Sequence, residues 1–399
     1  MTQHDDDRTD GHDTSTHTTD RQPPTITLSG IGDTLAAIPH LLGFHPTDSV
    51  VLLCGTAHGT PLSRTLRADL PPDHLMDVAA HDITASLVDD GVSSALLVII
   101  GGEDDAGGDD AGGDDGPEAG GARRTGAQEA DGATGGARET DTNGELPCAR
   151  LVAALRRELD ATGATDVAAY WVPQLAAEAR YRSYDDPALT GVMPDPASSQ
   201  LAAEFASRGY VTYGSRAELA ALLAPDSEPR VARRAELIES LRADMSAVWP
   251  LATRVAAVRD ALSAAHRGDL PLSDRQFATL AIALADVEIR DACLATALPP
   301  SSDLAIAAAT LWAELTRALP APERAIPACL AGYAAYMSGD GALAAIAFDA
   351  ALDADPDHLL SRLLDKALRH GFAPHRLHQL GSHDTVGLCA GERSLRDTA

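Results

Sequence analysis

The stretch Leu28–Cys54 reads LSGIGDTLAAIPHLLGFHPTDSVVLLC, and its last residues decide the fold. Val50-Val51-Leu52-Leu53-Cys54 is an unbroken aliphatic run of strand length, which suits a strand buried on both faces. Upstream, Thr25–Leu28 reads as a short strand, and a helix follows from Asp33 to Leu42. Asp33 or Ser29 can cap that helix, and Gly43 takes the left-handed position at its end. Gly43-Phe44-His45-Pro46-Thr47-Asp48-Ser49 is then a loop. Downstream, Thr65–Leu70 alternates polar and apolar at period two and stops at Pro71-Pro72. Asp73 caps a helix running to Asp90, Gly91 ends it, and Ala95–Ile100 is a second buried strand.

The alternation resumes beyond residue 145. Cys148–Leu159 places Leu151, Val152, Leu155 and Leu159 on one helix face, with Gly163 closing it. Asp166–Val172 and Glu178–Tyr184 read as strands, Ala197–Ser207 as a helix and Tyr210–Tyr213 as a short strand. Strands alternating with helices predict a layered α/β sheet. Between its two halves lies an insert, residues 102–145, with 13 acidic side chains, three arginines and 13 glycines. Residues 1–24 are similarly polar, with six Asp and two Arg. Such segments bury too little apolar surface to offset chain entropy and are predicted to be disordered. The insert leaves a strand end and re-enters at a helix start, so it is an enlarged surface loop of one domain.

From Glu228 the strand signal disappears. Helical segments near 230–247, 251–266, 273–286, 288–298, 303–319, 323–337, 340–353 and 357–370 are separated by Pro, Gly or Ser/Asp. Gly332, Ala344, Phe348, Ala351 and Pro356 match the small, aromatic and turn positions of a tetratricopeptide (TPR) hairpin. Ala335 stands where that repeat has an aromatic residue, and a shift back by one repeat recovers only Pro322 of the five. The predicted architecture is an α/β N-terminal domain with a mixed sheet, followed by an all-α helical array ending in a TPR-like hairpin. Its boundaries are an acidic tail over 1–24, the α/β domain over 25–226, the helical domain over 227–373 and a flexible tail over 374–399.

Composition narrows the function classes. The 399 residues carry 31 Lys+Arg against 59 Asp+Glu, a formal net charge of -28, which argues against nucleic acid and anionic lipid as partners. No apolar run reaches the ~20 residues of a spanning helix, and the polar, acidic start lacks a signal-peptide pattern. A soluble cytoplasmic protein is expected. The five cysteines are widely spaced without CxxC, so neither a zinc site nor a disulfide framework is indicated. No metal and no cofactor is predicted. The histidines His370, His375, His378 and His383, with Cys389, are irregularly spaced and read as solvated tail residues.

The residues LSGIGDTLAAIPHLLGFHPTDSVVLL and RADLP (Arg67–Pro71) carry a family resemblance, as do RYRSYDD (Arg180–Asp186) and EIRDA (Glu288–Ala292). LWAELTRALP (Leu311–Pro320) and GDGALAAIAFDAALDADPDH (Gly339–His358) extend it. Together they resemble the actinobacterial domain-of-unknown-function family 4192 from about residue 25 to 375, apart from the insert. The resemblance implies no particular reaction. Relatives often carry cysteines after the position of Tyr184, where this chain has Asp185-Asp186-Pro187, so any thiol or metal role tied to them is absent.

No catalytic constellation is recognisable. His45 as an acid/base with Asp48 or Ser49 is one reading of the GFHPTDS loop. The other accounts for more of it: Phe44 packs, Pro46 stiffens, and Asp48 and Ser49 turn into the strand. Arg67 and Asp69 share a strand face, as do Arg180 and Arg182, and converging arginines could grip an anion. His45, Asp48, Arg67, Asp69 and Arg182 are therefore the candidate ligand-binding residues, with Arg67 and Arg182 expected to meet near the loop. The leading reading is a binding or scaffold protein that receives a protein partner through its helical part. The alternative is an enzyme acting on a small anionic substrate at the sheet. A third reading makes the acidic insert an interaction segment. Joining Gly101 to Leu146 by a short Gly/Ser linker is expected to change stability little, because closure entropy varies by only ~0.6 kcal/mol per doubling of loop length. A melting temperature lowered by about ten degrees or more would show instead that the insert packs on the domain.

Overall fold

The computed structural model describes residues 30–56, 62, 64–87, 91–102, 146–207, 210–244, 249–382 and 387–388. The expected Thr25–Leu28 strand, both acidic segments, His383 and Cys389 lie outside them. The N-terminal part is built from α1 (Ile31–Leu42), β1 (Ser49–Thr56), β2 (Arg64–Asp69), α2 (Met76–Ala85), β3 (Val92–Ile100), α3 (Ala149–Ala161) and β4 (Asp166–Val172). β5 (Arg180–Ser183), β6 (Thr190–Val192), α4 (Gln200–Ser207) and α5 (Arg216–Ala221) complete it. The six strands form one mixed sheet in the order β2-β1-β3-β4-β5-β6. β3 and β4 are parallel and every other pair is antiparallel.

The aliphatic run of β1 does what its composition requires. Val50, Leu52 and Cys54 pack with Leu97 and Ile99 beneath Ala80 of α2 and Leu151 and Leu155 of α3. Val51 and Leu53 pack on the opposite face with Val98, Ile100 and Val172, beneath Leu35 and Ile38 of α1. A strand covered by helices on both sides can be apolar at every position. The chain leaves β3 through Gly101 and Gly102 and returns at Pro147, against which Gly102 lies. The ends of the insert are therefore adjacent.

Several boundaries differ from the expectation. α1 starts earlier, because the Gly30 carbonyl accepts both the Thr34 amide (3.1 Å) and its hydroxyl (2.9 Å). Asp33 consequently sits in the first turn, with Gly30 at the N-cap position. Asp73 opens a short 3-10 turn ahead of α2, which ends at Ala85 rather than Asp90. The helix expected over Ala197–Ser207 divides at Ser199, which is extended, into a 3-10 turn (Pro196–Ser198) and α4. Tyr210–Tyr213 is not a strand: Tyr210 and Val211 are exposed, and only Tyr213 bridges, in parallel, to Phe44. β6 was not expected; its three residues are held through pairing with β5.

The C-terminal part contains α6 (Glu228–Asp244), α7 (Leu251–Arg267), α8 (Asp274–Leu284), α9 (Val287–Leu294) and α10 (Asp303–Ala318). α11 (Ala325–Met337), α12 (Gly341–Ala354) and α13 (Leu359–Arg369) follow. Punctuation explains the divisions: Ser273 and Gln276 form a reciprocal capping box on α8, while Ser302 and Asp340 cap α10 and α12. α11 is buried on nearly every side, as a helix at the centre of a bundle must be. It packs between α10, whose Leu311, Trp312 and Leu315 are fully buried, and α12. A side chain at Gly332 would collide with the Phe348 ring, so the glycine permits the close approach of α11 and α12. Residues expected to start a free tail instead form a short helix, Pro374–Gly381, against α9 and α11. Tyr333 and Tyr336 fix this last segment by donating to the Leu377 and Phe372 carbonyls at 3.1 and 2.6 Å. Burial pushes both phenols up to about 12. Among the described residues no helix is long and apolar enough to cross a membrane.

Phe348→Ala is expected to cost ~3–5 kcal/mol in urea unfolding. Gly332→Ala overpacks the same space and is expected to cost ~1–3 kcal/mol. The double variant should cost less than the sum, because the new methyl enters the volume the ring vacates. Additive penalties would show that the two residues do not share one packing site.

Candidate functional site

The GFHPTDS loop is where the sheet meets the helices. Gly43 has φ +76 and ends α1, and its carbonyl accepts the Tyr213 amide at 2.8 Å. The His45 amide in turn donates to the Tyr213 carbonyl at 3.0 Å. These bonds aim Phe44 away from the sheet and into the helical core, where it packs with Leu219 and Leu223. The Arg67 guanidinium covers the ring, its Cζ 5.7 Å from the centroid. Arg67 Nε donates to Ser49 Oγ at 2.9 Å, and Ser49 Oγ donates to the Thr47 carbonyl at 2.5 Å. Asp69, 82% exposed, accepts from Arg67 Nη2 at 2.5 Å. Asp48 has φ +41, and its carbonyl accepts the Leu70 amide at 2.8 Å. Arg67 and Asp69 thus come together as expected, with Ser49 and Phe44. Arg67 is spent on Ser49, Asp69 and the Phe44 ring, while Asp69 itself faces solvent.

Arg182 is elsewhere. It pairs across the sheet with Trp171, whereas Arg67 pairs with Val51. Directly paired residues share a face. Trp171 belongs to the face under α2 and α3, and Val51 to the face under α1. The two arginines therefore lie on opposite sides of the sheet, with β1, β3 and β4 between their strands, roughly 19 Å at ordinary strand spacing. The expected Arg67–Arg182 pocket does not form. The Arg182 Cζ lies 5.8 Å from the Trp171 centroid, and Trp171 Nε1 donates to the Gly101 carbonyl at 2.8 Å. Asp185 accepts from Arg156 Nη2 at 2.5 Å and from the Ala169 amide at 3.2 Å. Among the described residues no group of three or more His, Cys, Asp or Glu side chains is arranged to hold a metal ion.

A cleft of about 360 Å³ opens between α6, α8 and α10. Arg230, Arg233 and Arg234 reach it from α6 at i, i+3 and i+4 spacing, and Arg317 reaches it from α10. Asp226, Asp274 and Glu314 supply the opposite charge. Arg234 is the fixed centre, its side chain 4% exposed and stacked 4.6 Å from the Phe277 centroid. Its Nε donates to Asp274 at 2.8 Å, and its Nη1 donates to Asp226 at 2.6 Å and to the Ala318 carbonyl at 2.9 Å. Burial opposes this charge, but the bonds to Asp226 and Asp274 outweigh it and raise the guanidinium pKa. Bonds from Arg234 and Arg233 hold the Asp274 carboxyl below its ordinary value. Arg234 therefore ties the start of α8 and the end of α10 to α6. Asp274 is also the first residue of α8, so the positive end of that helix faces the same opening.

The sequence reading missed this cleft. The spacing within Arg230-Val231-Ala232-Arg233-Arg234 was the available signal, since one helix face must carry all three guanidinium groups. A second cavity, about 110 Å³ between α2 and α3, is small for an organic ligand. His358, Ser361 and Cys329 meet inside the helical core, with His358 Nδ1 and Ser361 Oγ hydrogen-bonded at 2.7 Å. Burial lowers the His358 pKa and pushes the Cys329 thiol up to about 12, which keeps both neutral in the core.

Fold and cleft together define an α/β sheet protein joined to a helical array that carries a basic cleft. The chain belongs to the family described as Domain of unknown function (DUF4192), whose family model matches residues 32–375. Comparison with curated proteins and with solved structures found no match in either.

Phe44→Ala is expected to cost ~3–5 kcal/mol in denaturant unfolding, as for a buried aromatic core residue. Arg67→Ala, which loses a ring contact and one internal hydrogen bond, should cost about 1–2 kcal/mol. A Phe44→Ala loss below about 1 kcal/mol would mean that the joint does not depend on the ring.

Proposed function

We propose that this protein is a non-catalytic, cytoplasmic binding protein that works through its helical part, where the arginine cleft takes the acidic group of a ligand. The observation that carries this reading is the cleft itself, of a volume within the usual range for small-ligand sites and lined by four arginines. The alternative, an enzyme acting on a small anion at the sheet, loses its support with Arg67 and Arg182 on opposite faces. The α11–α12 hairpin is read as TPR-like on Gly332, Ala344, Phe348, Ala351 and Pro356, although Ala335 departs from that pattern. This agrees with a helical array built to present a binding surface.

One feature favours a protein partner as a second reading. On α13, Leu359 and Leu363 are 65% and 56% exposed, and the exposed Arg362 and Lys366 stand beside them. That surface suits an acidic amphipathic segment of another protein.

Orthophosphate, pyrophosphate and malonate, each added to the full chain at constant ionic strength, test the first reading through the melting temperature. A ligand at about 100 times its Kd stabilises the native state by ~2.7 kcal/mol. At least one of the three anions is expected to raise the midpoint by several degrees, and Arg233→Ala should reduce that rise when each protein is compared with its own anion-free midpoint. No shift with any of them would overturn the proposal.

A further inference from the structure

We infer that the ligand of the arginine cleft carries two adjacent phosphate groups, so that the site is built for a compact diphosphate; this rests on the reading of the cleft as the binding site. The inference comes from which guanidinium donors are already committed. Arg234 is enclosed, its side chain 4% exposed, and commits Nε and Nη1 to Asp274, Asp226 and the Ala318 carbonyl, so it forms the floor and not a hand. Arg233 commits only Nε, to Asp274 at 2.6 Å, and its side chain is 56% exposed. Arg230, one turn earlier on the same face, makes no ion pair or side-chain hydrogen bond among the described residues. These two arginines make one set of donors on α6.

The second set belongs to α10. Arg317 has only long ion pairs, Nη1 to Glu314 at 3.5 Å and Nη2 to Asp226 at 3.9 Å. Its Nε is buried without an acceptor among the described residues. Donors thus reach the cleft from two different helices, with the neutralised Arg234 at its base. A single planar carboxylate engages one guanidinium fork and leaves the other set unused. Tetrahedral phosphate oxygens point in several directions, and two linked phosphates can meet both sets at once. The charges agree: four arginines against three carboxylates leave one positive charge in the lining, on a chain whose formal net charge is -28. A local basic cleft on an acidic protein makes anion capture specific to that place, because the remaining surface repels the ligand.

Isothermal titration of the full chain with inorganic pyrophosphate, orthophosphate and malonate separates the possibilities. Pyrophosphate is expected to bind at least tenfold more tightly than either of the others. The double variant Arg230→Ala/Arg233→Ala and the single variant Arg317→Gln should each weaken it tenfold or more, while Arg182→Ala leaves it unchanged. Circular dichroism and the melting temperature check that each variant is folded; should Arg317→Gln disturb the end of α10, Arg317→Lys replaces it, keeping the charge but losing the fork. Orthophosphate or malonate binding as tightly as pyrophosphate would overturn the diphosphate assignment and leave the cleft as an anion site. Binding of none of the three would overturn both, as would pyrophosphate affinity unaffected by the arginine variants.

Discussion

Phe44 is the residue on which the arrangement of the two parts depends. It follows the end of α1, yet its ring is buried in the cluster that joins Leu219 of α5 and Leu223 to the core of the later helices. An aromatic ring leaving one core must be received by another, because exposing it forfeits roughly 1.5–3 kcal/mol of burial. The neighbouring residues follow from that placement. Gly43 supplies the left-handed turn, His45 and Gly43 exchange backbone bonds with Tyr213, and Arg67 lies over the ring while held by Ser49. The loop with the most distinctive sequence in the chain is therefore a joint. Its backbone and the Ser49 hydroxyl are committed to that joint, and Arg182 lies on the other face of the sheet, which moves the search for a binding site away from the sheet.

The helical part solves a different problem. It has few large aromatics to fill space, so close approach of small residues does much of the work. α11 is the centre of this scheme, with alanines, Cys329 and Gly332 facing neighbours on nearly all sides. Where a large ring enters, as Phe348 does, a glycine opposite makes room. The tyrosines of the same helix place polar hydroxyls at the edge of the core and find carbonyl acceptors in the segment that follows α13. An alanine-rich bundle packed this closely has little room for an internal ligand, and the cleft accordingly lies where three helices diverge at its margin.

There, a buried arginine decides the geometry. Removing Arg234 from water is costly unless it is paired, and Asp226, Asp274 and the Ala318 carbonyl pair its Nε and Nη1. The same bonds fix α6 relative to α8 and α10, which leaves Arg230, Arg233 and Arg317 around an opening of defined shape. Stability and recognition share one set of side chains, but they use different members: the enclosed arginine holds the walls and the exposed ones remain available.

Local chemistry was enough to read most elements from the sequence. The aliphatic run 50–54 required a doubly covered strand, period two marked β2, and Ser, Asp, Gly and Pro punctuation separated the eight helices from Glu228 to Arg369 among the described residues. The pairing of Arg67 with Asp69 also followed from strand periodicity alone. What periodicity could not supply was the order of strands across the sheet. Two arginines that look alike in sequence fall on opposite faces because Arg67 is registered with Val51 and Arg182 with Trp171, and register is a relation between distant segments. The cleft was hidden for the same reason. The α6 arginines were visible, but Asp274 stands 40 residues from Arg234 and the Ala318 carbonyl 84, and only the packing of three helices brings them together.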